Sequence, residues 1–102
     1  MSVPSSVTIA DTIDTLNGVI VIGTLLGAAS TDAGGDTIAA SNFGLTSFSH
    51  LQLGPIPVID VHAVWLDATK KIQYFLEDAG GIQIETLDND ANITPFIVYG
   101  KA

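Results

Sequence analysis

Apolar and polar positions exchange every second residue through most of this chain, and turn residues interrupt the alternation at short intervals. Successive strand side chains point to opposite faces, so this period marks half-buried strands. Val7, Ile9 and Ile13 alternate with Thr8, Ala10 and Thr12, after a polar lead of Ser2, Pro4, Ser5 and Ser6. Gly18 opens the run Val19, Ile20, Val21 and Ile22, apolar on both parities, which predicts a central strand covered on both faces. Residues 30–35 read as a loop containing Gly34 and Gly35, residues 36–40 as a short strand, and Asn42-Phe43-Gly44-Leu45 as a turn or a single helical turn. Residues 46–53 alternate again, with Ser47, Ser49, Leu51 and Leu53 on one side and Phe48, His50 and Gln52 on the other.

After Gly54, Pro55 and Pro57, residues 58–66 form the longest alternating stretch. One face carries Ile59, Val61, Ala63 and Trp65; the other carries Val58, Asp60, His62, Val64 and Leu66. The turn Asp67-Ala68-Thr69-Lys70 then joins it to residues 71–77 as a hairpin. Asp78-Ala79-Gly80-Gly81 reads as a second turn, residues 82–87 as a partner strand, residues 88–92 as a solvated polar loop and residues 94–101 as the last strand. Pro95 confines the start of that strand to an edge or a strand beginning. No segment sustains a helical period. The expected fold is all-β: an antiparallel β-sandwich or jelly-roll-like barrel of short strands. Residues 1–17 are its N-terminal arm or first strand, and residues 18–102 a single β domain.

Composition adds a reason for assembly. Of 102 residues, 47% are hydrophobic and only 14% charged, against about 25% charged in an ordinary soluble domain. A domain of this size buries only about two-thirds of its unfolded surface. Some apolar side chains are therefore expected at subunit interfaces. The formal charge is −8, from eleven acids and three lysines without any arginine. Such a surface repels phosphate and anionic lipid, so neither nucleic acid nor membrane is expected as a direct partner. With no cysteine there is no disulfide framework, thiolate metal site or thiol chemistry. The first ten residues lack a basic segment followed by an apolar core, so no signal peptide is expected. The longest apolar run falls far short of the roughly 20 residues of a membrane helix.

Candidate chemistry is sparse. A Ser-His-Asp site assembled from Ser47 or Ser49, His50 and Asp60 lacks any G-x-S-x-G elbow, and both His50 and His62 read as half-exposed strand residues. No catalytic residue and no cofactor are expected. Asp88-Asn89-Asp90-Ala91-Asn92 resembles the opening of a calcium loop, with Asp88, Asp90 and Asn92 as partial ligands. Ile93 stands where the loop's glycine belongs and Tyr99 where its bidentate Glu belongs. Trp65, Tyr74 and Phe75 could stack on a sugar, and a lectin-like platform would contain Trp65, Tyr74 or Tyr99; an inward strand tryptophan such as Trp65 reads first as core, with the sugar role as the alternative.

Several short motifs recur in order: Gly18-Val19-Ile20-Val21-Ile22-Gly23, Gly34-Gly35-Asp36-Thr37-Ile38, Phe43-Gly44-Leu45, Asp67-Ala68-Thr69-Lys70-Lys71-Ile72 and Phe96-Ile97-Val98-Tyr99-Gly100-Lys101. With them the chain, over roughly residues 18–102, resembles small structural proteins of tailed phages, including cement or decoration proteins of cyanophage-type capsids. The resemblance implies a virion protein on the outer surface of the capsid, bridging neighbouring major capsid subunits against internal DNA pressure. It implies a homo-oligomer, expected as a homotrimer with a dimer second, and no catalytic residue. The expected interface is the arm, through Val3, Pro4, Val7, Ile9 and Ile13, with the loop residues Pro55 and Pro57. The alternatives are a carbohydrate-binding, lectin-like module or a tail or fibre component.

Overall fold

The computed structural model describes residues 1–57, 60–77, 80–81 and 83–102. The strands are β1 (Ser6–Asp14), β2 (Val19–Leu26), β3 (Asp36–Thr37), β4 (Ser47–Leu53), β5 (Val61–Leu66), β6 (Lys71–Glu77), β7 (Gln83–Glu85) and β8 (Ile93–Lys101), with a 3-10 helix at Ala40–Phe43. They form two antiparallel sheets packed as a sandwich. The first has the order β1-β2-β8-β4; the second has β3-β6-β5, with β7 also on β6.

The expected period-two pattern appears wherever one face meets the core. β2 buries Val19, Val21, Gly23 and Leu25 while the residues alternating with them are half-exposed. β8 buries Thr94, Phe96 and Val98 in the same phase, and β6 supplies Ile72 and Tyr74 from the opposing sheet. Connecting segments fill the remaining core with Ile38, Phe43, Leu45 and Ile56. An aromatic row runs through it: Phe96 to Phe43 at 4.9 Å, Phe43 to Phe48 at 5.8 Å edge-on, and Phe48 to Trp65 at 5.8 Å.

Two β-bulges change which side chains face in. A bulge adds a residue to one strand, so the alternation beyond it reverses. In β1 the register skips Ala10, between Ile9↔Gly23 and Asp11↔Ile22. Val7 and Ile9 therefore share the inner phase, whereas Ile13 pairs with Ile20 on the outer face. In β4 the skipped residue is Ser49, between Phe48↔Gly100 and His50↔Tyr99. Phe48 and Leu51, expected on opposite sides, consequently both pack on the core.

Other expectations need correction too. β2 is central but covered on one face only. The strand expected over 58–66 is described as six residues from Val61, after Asp60 at φ +62, so β1 and β8, each of nine residues, are longer. Residues 58, 59, 78, 79 and 82 of the expected strands and second turn lie outside the described residues. Pro95 sits in an interior strand, yet at the point where β4 has ended. The last β4–β8 pair is Leu53↔Phe96, and the Gly54 N–H donates to the Pro95 carbonyl at 2.8 Å. A residue's N–H and C=O point the same way in a strand, so the missing N–H of Pro95 faces no β4 ladder.

The 88–92 loop is not simply solvated. Asn89 is fully buried, and its side-chain amide donates to the Thr31 hydroxyl at 2.8 Å and to the Thr86 carbonyl at 2.9 Å. Asn92 donates to the Asn89 Oδ1 at 2.9 Å. The loop is thus tied to the Ala28–Thr31 segment, where the Asn89 N–H also reaches the Ala28 carbonyl.

Candidate functional site

The first sheet has an outer face that nothing among the described residues covers. Cross-strand pairing places Ile13, Ile20, Tyr99 and His50 in one row and Asp11, Ile22, Ile97 and Gln52 in the next. Leu26 and Ile93 pair further along the same face. Ile13, Ile93 and Ile97 are each over 40% exposed. Between these rows and the end of β4 lies a hollow of about 260 Å³, lined by Ile22, Leu53, Gly54, Pro95, Phe96 and Ile97, with Gln52 at its side. Asp11 and Lys101 are the only charged side chains that the pairing registers put on this face, so it is near neutral in a chain of net charge −8. β-branched residues on both parities of β2 mark this face in the sequence, and they are compatible with a second covering layer that the described residues do not supply.

The expected interface residues do not form one patch. Val7 packs against the core, whereas Ile9, although in the inner phase beside Gly23, is exposed like Val3 and Ile13. Pro4 is half-buried. Pro55 and Pro57 are exposed but follow β4, at the opposite edge of the sheet from β1. β1 itself is a paired edge strand, hydrogen-bonded along its length to β2.

A second feature lies on the seam where β4 and β5, the edge strands of the two sheets, meet. A shallow cleft of about 310 Å³ is lined by Ser49, His50, Leu51, Trp65 and Asp67. The β4 bulge puts Ser49 and His50 side by side, with Ser49 Oγ 3.1 Å from His50 Nδ1. Asp67 heads the β5–β6 turn, where Lys70 Nζ donates to its Oδ1 at 2.9 Å. That bond and the Lys70 charge hold the Asp67 carboxyl below its ordinary value, with smaller contributions from the Trp65 indole and His50. Asp67, rather than Asp60, is therefore the carboxylate beside His50. His62 is elsewhere, stacked on Phe75 at 5.8 Å.

Of the expected sugar platform, Tyr74 is fully buried, Tyr99 lies half-exposed on the outer face of the first sheet, and Trp65 alone borders the cleft. The partial calcium ligands do not converge: Asp88 and Asp90 are exposed, whereas Asn92 turns inward to Asn89. Among the described residues no group of three or more His, Asp or Glu side chains is placed to hold a metal ion, and no helix is long and apolar enough to cross a membrane. Comparison of the chain with protein-family models, characterised proteins and solved structures finds no match.

Proposed function

We propose that the protein is a structural subunit that docks on the shell of a tailed-phage particle as a decoration or cement protein, seated through the outer face of its first sheet. The observation that carries this reading is that face: apolar, nearly uncharged and uncovered, on an otherwise acidic chain. Docking it desolvates few charges, so apolar burial of about 25 cal/mol per Å² is largely retained. The occupant is another protein, the major shell subunit, rather than a free second copy, because the acid excess opposes close approach of two identical chains. The hollow beside Pro95 accepts one apolar side chain of the partner as an anchor. The phage setting rests on the resemblance of the motifs between Gly18 and Lys101.

Copy number in purified particles tests the setting. Hundreds of copies per particle are expected; a handful indicates a tail or fibre, and none sinks the proposal. Ile97→Lys tests the face. Ile97 is 47% exposed, so folding is retained, while shell occupancy falls at least about tenfold, the effect of losing a central contact. Ile84→Lys, at an equally exposed site on β7, leaves occupancy unchanged.

A further inference from the structure

We propose that the seam cleft between β4 and β5 is a binding site for a neutral hexose, such as the terminal residue of a glycan. Its volume of about 310 Å³ stands at the small end of the range for small-molecule sites, about 300–1,000 Å³. That suits one sugar ring entering an open groove. Binding a pyranose requires an apolar wall for its C–H face and nearby donors and acceptors for its hydroxyls. The cleft has both. Trp65 supplies the apolar wall, its indole backed by Phe48 at 5.8 Å, and Leu51 lines the floor where it passes into the core. Ser49 Oγ, His50 and the Asp67 carboxylate form the polar side.

The polar groups are held before any ligand arrives. Ser49 and His50 engage each other, and Lys70 fixes one Asp67 oxygen. A carboxylate has about four acceptor positions, so acceptor capacity remains for a pair of ligand hydroxyls. The bulge is the device that creates the site. Without the extra residue Ser49, the alternation of β4 would not set His50 outside beside the seam while keeping both Phe48 and Leu51 on the core. Charge selects among sugars: Asp67 at the cleft and a net charge of −8 repel sialic acid, uronic acids and sugar phosphates. His50 borders both this cleft and the outer face of the first sheet, but the site does not depend on the docking proposal.

Trp65 is the sole tryptophan, so its fluorescence reports on the cleft without labelling. The full chain is titrated with the methyl glycosides of glucose, galactose, mannose and N-acetylglucosamine, with saturation-transfer NMR on the same samples. The expected result is a saturable emission change with at least one of them and none with methyl sialoside. Asp67→Asn is expected to weaken binding about tenfold, as loss of a charge-assisted hydrogen bond does, and His50→Ala by about threefold or more, as loss of a neutral one does, each with unchanged circular dichroism. Two results overturn the proposal: neither emission change nor saturation transfer with any of the four glycosides, or binding that both variants leave intact.

Discussion

Tyr74 has an unusual position for a tyrosine. Its ring is in the core and its hydroxyl is fully buried, with no hydrogen-bond partner among the described residues. Burial, and then the buried Asp36 carboxylate, push its pKa well above the ordinary 10.0; the Thr94 hydroxyl opposes the shift without reaching hydrogen-bond geometry. The sign of the linkage follows. A raised folded-state pKa leaves stability intact below the unfolded value and removes it progressively as pH climbs from there toward the folded value. The protein is therefore expected to lose stability above about pH 10, because unfolding releases a proton that the fold retains. Tyr74→Phe removes this alkaline loss and, since the hydroxyl makes no bond, changes stability at pH 7 by less than about 1 kcal/mol. Urea midpoints measured from pH 7 to 12 for both proteins decide it. Parallel decline in wild type and variant would mean that another group is responsible. Asp32 illustrates the opposite sign. A hydrogen bond from the N-terminal amine and another from the Ser2 N–H lower its pKa. Its contribution is complete above its ordinary value of 3.8 and is lost as pH falls through the lowered one.

At the scale of elements, β1 protects β2. The paired strand leaves the edge of Val19–Leu26 without free backbone groups, while β1 at the true edge carries Asp11, Asp14 and a bulge. Charges and bulges are the usual guards of an exposed edge. Deleting residues 1–13 strips that guard from a β-branched, apolar strand. The truncated protein is expected to form concentration-dependent aggregates by light scattering, where the full chain stays dispersed. If it remains dispersed and still fills shells to full occupancy, β1 neither guards the sheet nor contributes to docking. Close approach also constrains the elements. Gly35, at φ +111, lies so near the Ile72 carbonyl that a Cβ would overlap it, which is why the β3 end of the second sheet needs glycine there.

For the whole molecule, the balance between apolar excess and acid excess governs association. The sandwich measures 47 × 25 × 21 Å, a size at which one uncovered sheet face is a large share of the surface. Repulsion between acidic chains acts over a screening length of about 30 Å at 0.01 M salt and about 3 Å at 1 M. The isolated protein is therefore expected to sediment as a monomer at low salt and to self-associate as salt rises, toward the trimer or dimer expected on a shell. A stable oligomer at low salt would show that contacts between copies outweigh the charge, and that the partner of this face is the chain itself.

Much of this was legible in the chain. The period-two pattern specified an all-β fold, and Asp67-Ala68-Thr69-Lys70 specified the β5–β6 hairpin, because alternation and turn chemistry are local properties. Composition required that apolar surface remain outside the core. Two things were not local. Neither Ala10 nor Ser49 differs chemically from an ordinary strand residue, so the bulges that send Ile13 outward and set His50 at the seam arise from pairing with β2 and β8. Asn89 and Asn92 have a composition typical of a solvated loop, and only the return of that loop over Ala28–Thr31 buries them. The sequence by itself determined the strands and the surplus of apolar side chains. Only the tertiary structure decided that this surplus gathers on the outer face of the first sheet, and that Ser49, His50, Trp65 and Asp67 meet at one seam, because cross-strand register and sheet packing join residues that sequence spacing keeps apart.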